Sequence, residues 1–172
     1  ALALTAVAPW AGRLWEGDAP VTLGCSTVRT DQQTGSFGWR ALEAGVTAIE
    51  SAREPCYDDP YFILRNEARG EHFFGQLAWP SLHRMEFLKE DGLVFKVGPL
   101  AVGGALRVLA PGETVATPAV HLCHLRGDFD AVVQEMHEHV RRSVVLERPP
   151  ERSHRIEHIA NGDTGACLYK GD

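Results

Sequence analysis

Short apolar runs bounded by turn-forming residues follow one another along most of the chain, a spacing that predicts β-strands. Gly12, Gly17-Asp18-Ala19-Pro20 and Gly24 interrupt the first thirty residues, where Ala1–Pro9 reads as a strand that starts abruptly, like the edge of a longer protein. Two strands are expected around Glu43-Ala44-Gly45 between Gly35 and Arg53, the second being Val46–Glu50. Tyr61–Arg65 follows the Asp58-Asp59-Pro60 turn, and Glu67–Gly70 leads into His72–Trp79. Leu82–Leu88, Leu93–Val97, Leu100–Leu109 and Val115–Leu125 complete the set. Their aromatic and β-branched content favours extended structure. Glu90-Asp91-Gly92 is the clearest hairpin signal, because Asp-Gly supplies the positive φ of a type I′ turn. Turns at this spacing predict an all-β sandwich rather than alternating βα units.

One segment departs from that rhythm. Phe129, Val132, Val133, Met136, Val140 and Val144 recur with the 3.6-residue period of an amphipathic helix, predicted over about 129–145. Asp128 or Asp130 can cap its N-terminus. Arg141-Arg142 complements the dipole at the other end, and Pro149-Pro150 stops it. The domain is therefore expected to span residues 1–148, with 149–172 a tail or linker.

Composition narrows the class. The chain has 172 residues, 17 Lys+Arg and 23 Asp+Glu, for a net charge of −6. With no basic cluster to neutralise phosphates, a nucleic-acid partner is not expected. No run approaches the ~20 apolar residues of a bilayer-spanning helix, so no membrane partner is expected either. Cys25, Cys56, Cys123 and Cys167 are isolated and too sparse for a disulfide scaffold. Reduced thiols in a cytoplasmic protein are the simpler expectation.

The familiar catalytic patterns are missing. No GxSxG, GxxxxGK[ST], HExxH or GxGxxG occurs. His121, Cys123 and His124 invite a metal reading, but alternation on a strand sends His124 to the face opposite the other two. His137 and His139 diverge likewise on a helix. Asp58-Asp59, Glu86, Glu90-Asp91 and Glu113 lie in or beside predicted turns, where carboxylates ordinarily cap or are solvated. No metal, cofactor or catalytic residue is therefore expected in this chain. Trp39 and Trp79 stand out instead, because an indole face stacks on the apolar face of a sugar ring, although in a sandwich a tryptophan also serves the core.

Three segments together resemble the N-terminal domain of glycoside hydrolase family 36, the α-galactosidases and their relatives. They are Thr27–Ser36, then Gly70-Glu-His-Phe-Phe-Gly-Gln-Leu-Ala-Trp-Pro-Ser81, then Leu109-Ala-Pro-Gly-Glu-Thr-Val-Ala-Thr-Pro118 with His121–Gly127 and the helix carrying Met136-His137 and Arg141-Arg142. The resemblance covers about residues 22–148. Pro80-Ser81-Leu82-His83 and Gln32-Gln33 depart from the family pattern.

The resemblance implies a β-supersandwich of the galactose-mutarotase-like kind, ending in a helix that leads towards a (β/α)8 barrel holding the catalytic carboxylates. No catalytic residue carries over to this chain, because that barrel is not in it. What is implied is a non-catalytic domain of a glycosidase that lines a galactoside or other carbohydrate site, with the barrel domain and further copies of the protein as partners; Trp39, Trp79 and His83 are the candidate contact residues of such a site. A stand-alone carbohydrate-binding module is the alternative. A mutarotase-like epimerase is another, and would need His83 with Glu86, or His121 with Glu113, facing one pocket.

Overall fold

The computed structural model describes residues 1–29, 34–51, 56–79, 81–101 and 104–145, together with the backbone of two short strands, Ile159–Ala160 and Cys167–Leu168. It divides into two compact units, Ala1–Met136 and His137–Asp172.

The first unit is a β-sandwich. One sheet has four strands in the order β2 (Trp10–Trp15), β10 (Gly92–Pro99), β9 (His83–Glu90) and β5 (Gly45–Ser51). The other runs β12 (Val120–Arg126), β8 (Glu71–Leu77), β7 (Tyr61–Asn66), β3 (Thr22–Arg29) and β4 (Thr34–Ala41). A sixth strand, β6 (Cys56–Asp58), pairs with the C-terminal half of β3, while β7 pairs with its N-terminal half. The pairings are antiparallel. A separate ladder joins β1 (Leu2–Leu4) to β11 (Arg107–Leu109).

Alternation explains the layers. On β9 and β10, Met85, Phe87, Leu93, Phe95 and Val97 are buried and meet Leu23, Phe62, Leu64 and Leu77 of the opposite sheet in one core. Phe62 is at its centre, with ring centroids 4.9 Å from Phe87 and 4.6 Å from Phe95. The other face of the larger sheet presents Ile63, Phe74, Cys123 and Leu125, which pack against Val132 and Met136 of α1 (Phe129–His139). Burying that face requires an amphipathic helix, and the Val132/Met136 pair, four residues apart, supplies it.

The helix begins where expected. Asp128 Oδ1 accepts from the Ala131 amide at 2.9 Å, an N-cap bond. It is shorter than the apolar period indicates, because after His139 the backbone widens into a π-helical turn, Val140–Val144, whose Val144 is 53% exposed. In the second unit Glu138 pairs with Arg141 at 3.3 Å and Arg142 at 3.0 Å, and β13 (Ile159–Ala160) pairs with β14 (Cys167–Leu168). Pro149-Pro150 and most of the tail lie outside the described residues.

Three strands are paired over less than their apolar runs. Of Ala1–Pro9 only Leu2–Leu4 is paired. Leu100–Leu109 contributes only β11, since Gly98-Pro99 ends the β10 ladder. Val115–Leu125 starts pairing at Val120, just past Thr117-Pro118, where proline has no amide to donate. The Glu90-Asp91-Gly92 hairpin forms, with Gly92 at φ 115°. A Cβ there would also run into the Trp15 carbonyl, so glycine is required twice over.

Candidate functional site

At one end of the sandwich the two sheets part to leave a cleft of about 470 Å³, lined by Ser51, Asp58, Asp59, Pro60, Trp79, Ser81, Leu82 and His83. Its walls are strand ends and the turns that join them. Ser51 closes β5, Asp58 closes β6, and Trp79 follows β8 by two residues. The Leu77 amide donates to the Pro60 carbonyl at 2.9 Å and the Ala78 amide to the Ala119 carbonyl at 2.9 Å, which fixes the path of the chain into Trp79.

The two aspartates are held by hydroxyl groups. Thr27 Oγ1 donates to Asp58 Oδ1 at 2.6 Å, and the Glu50 amide donates to Asp58 Oδ2 at 3.2 Å. Ser26 Oγ donates to Asp59 Oδ2, while the Asp59 amide bonds the Ser26 carbonyl at 3.0 Å. These bonds tie the Asp-Asp-Pro turn to β3 and β5 and orient both carboxylates. Such a pair is placed to accept hydrogen bonds.

Trp79 is half-buried, its ring resting on the main core while Nε1 donates to the Leu82 carbonyl at 3.2 Å. His83 is 2% exposed and pairs across the ladder with Ser51. Its Nδ1 lies 3.1 Å from the Ser81 carbonyl, which can only accept, so Nδ1 carries a proton. Nε2 is buried and without a hydrogen-bond partner among the described residues. Trp79 and His83 therefore share one cleft.

Trp39 does not join them. It sits on β4, 36% exposed, with the Arg65 guanidinium 4.6 Å above its ring and Phe37 and Phe129 edge-on at 5.4 and 5.5 Å. It lines a separate hollow of about 210 Å³ with Cys25, Thr27, Ser36, Gly38 and Arg40.

The pairing of His83 with Glu86 does not converge. His83 and Glu86 fall on opposite faces of β9, and Glu86 is bound by Arg84 at 2.8 Å. The Ala110 amide first, then Arg107, hold the Glu113 carboxyl below the usual range, with burial opposing. His124 stacks on Phe73 at 4.5 Å, while Cys123 faces the helix, where burial raises its thiol pKa. Among the described residues no group of three or more His, Cys, Asp or Glu is placed to hold a metal ion. Among the same residues no helix is long and apolar enough to cross a membrane.

Sequence reasoning did not bring Ser51, Asp58, Asp59 and Ser81 to this cleft. The Asp-Asp-Pro turn is visible locally, but its position beside Trp79 depends on β6 and β7 sharing one edge of β3, which no local pattern encodes. The chain matches no family model, no curated protein and no solved structure.

Proposed function

We propose that this chain is a non-catalytic β-sandwich domain of an α-galactosidase-like glycoside hydrolase, and that the Trp79/His83 cleft lines its carbohydrate site. The observation that carries the reading is the meeting, in one cleft, of a tryptophan, two oriented carboxylates, two serines and a histidine. Aromatic surface beside fixed polar groups is the pairing that a pyranose needs, an apolar ring face ringed by hydroxyls. The volume lies within the roughly 300–1,000 Å³ of small-molecule sites. The supporting sequence feature is the ordered set of segments that resembles the family's N-terminal domain.

Both aspartates serve hydroxyl and amide donors of the scaffold, so neither is offered as a nucleophile or as a general acid. Catalysis belongs in this reading to a (β/α)8 barrel partner, in a cytoplasmic enzyme. The alternative of a stand-alone carbohydrate-binding module draws on the same cleft, since neither Trp39 nor Trp79 is fully buried.

Chemical-shift mapping with a methyl α-galactoside tests the reading. Shifts confined to Ser51, Trp79 and His83, with no turnover of an aryl α-galactoside, are expected. Shifts at Trp39 instead, or hydrolysis abolished by one Asp or Glu substitution, would contradict it.

A further inference from the structure

His72 lies on β8, on the face of the larger sheet that carries α1. Its cross-strand partners are Arg65 of β7 and Leu125 of β12, and Phe74 stands two residues along its own strand. Leu125 and Phe74 belong to the cluster that packs on Val132 and Met136 of the helix. The chain enters α1 beside this point, where the Gly127 amide donates to the Gly70 carbonyl at 3.1 Å. Covered in this way, the ring is 4% exposed, and neither nitrogen has a hydrogen-bond partner among the described residues.

Protonation is costly in such a place. The neutral ring already carries one N–H without an acceptor, and the cation would carry two. Arg65 is the neighbouring cation on β7, itself paired with exposed Glu67 at 3.2 Å. Asp128, the helix cap, acts in the opposite sense from the N-terminus of α1. His121 and Cys123 lie further along the same face of β12, and α1 carries Asp130 and Glu135 at exposed positions. Glu71, His124 and Arg126 lie on the opposite face. Meanwhile the helix is lightly anchored, with Val132 buried, Met136 half-buried and Phe129 37% exposed. Few buried apolar contacts mark a segment that opens locally, below the cost of global unfolding.

We propose that His72 is the trigger of an acid-sensitive latch, in which uptake of a proton by its ring lifts the first turns of α1 from the larger sheet while the sandwich stays folded. The docked state binds that proton less readily than the open one, in which water can reach both nitrogens, so acid favours the open state. The opening constant rises by up to about tenfold for each pH unit below the ordinary value of 6.5, until the depressed value is passed. Opening bares Phe74, Leu125 and the Cys123 thiol. The latch is independent of the carbohydrate reading and uses none of the cleft residues.

Amide hydrogen exchange of the full chain between pH 7.5 and pH 5, expressed as protection factors, tests this. Protection at Val132–Met136 is expected to lie below that of Phe87 and Phe95 at every pH, and to fall with acid by up to about tenfold per unit. In His72→Leu the acid-dependent fall should vanish. In Arg65→Met it should shrink, because removal of the neighbouring cation makes protonation of the docked state less unfavourable; this variant carries the test if His72→Leu loses its cooperative melt. Helix protection indifferent to pH, one protection factor shared by helix and core, or a fall that persists unchanged in either variant would each overturn the proposal.

Discussion

Trp15 Nε1 donates to Glu71 Oε2 at 2.8 Å, a buried bond that joins β2 of one sheet to β8 of the other. Arg126 of β12 grips the second carboxylate oxygen through Nη2 at 2.9 Å and Nε at 3.1 Å. The Trp15 bond first, then the Arg126 bonds, hold the Glu71 carboxyl below its ordinary range against the opposing effect of burial. A depressed folded-state pKa means that the contribution is present above the ordinary carboxylate pKa and disappears as pH falls through the depressed one. Glu71→Gln is therefore expected to lower the melting temperature at neutral pH and to flatten the acid limb of the stability profile. Thermal melts between neutral and acid pH check both.

His72, the next residue, points to the opposite face of β8. It is 4% exposed, and neither ring nitrogen has a hydrogen-bond partner among the described residues. Burial, then the Arg65 charge, pushes its pKa below the ordinary 6.5, with Asp128 pulling weakly the other way. Because the unfolded chain binds the proton more readily, stability is complete above about pH 6.5 and declines as pH falls from there to the depressed value. His72→Leu should remove that decline. Denaturant titrations across this window, on both proteins, give the comparison.

Phe62 and Gly75 face each other on adjacent strands, paired in register. A Cβ at position 75 would overlap the Phe62 ring, so glycine makes the space the ring fills. Phe62→Ala is expected to cost about 3–5 kcal/mol. Gly75→Ala should also destabilise, by overpacking of about 1–3 kcal/mol. Combined, the two should cost less than their sum, because the methyl group of one occupies part of the cavity left by the other. Urea unfolding of the four proteins measures the coupling.

The Asp128 cap bond to Ala131 is exposed and local. Asp128→Ala is expected to cost about 1 kcal/mol and to loosen the first turn of α1. Amide exchange at Ala131 and Val132, faster in the variant, reports it.

The sandwich was legible because its strands are short aromatic and β-branched runs and its turns carry Gly, Pro and Asp at the required places. Glu90-Asp91-Gly92 and the Phe129–Met136 stripe each encode their own conformation. The same logic overran at Leu100–Leu109, where pairing among the described residues is confined to Arg107–Leu109, and at Val115–Leu125, where it starts at Val120. The cleft was half legible. Trp79 and His83 are close in sequence and reach it together, but Asp58 and Asp59 arrive through strand order, and Trp39 was drawn by residue type to the same role although β4 carries it elsewhere. Glu71 lies in the segment that resembles the family pattern, yet its link to Trp15 spans 56 residues and becomes visible only when the sheets face each other.

The carbohydrate reading stands on Trp79, so the affinity of the folded chain for a methyl α-galactoside, with and without the substitution Trp79→Ala, tests it most directly. Losing the stacking face is expected to weaken binding about tenfold or more while the far-ultraviolet spectrum and a cooperative melt persist. Galactoside affinity unchanged by Trp79→Ala, or no affinity in the unsubstituted chain at any attainable concentration, would contradict the account.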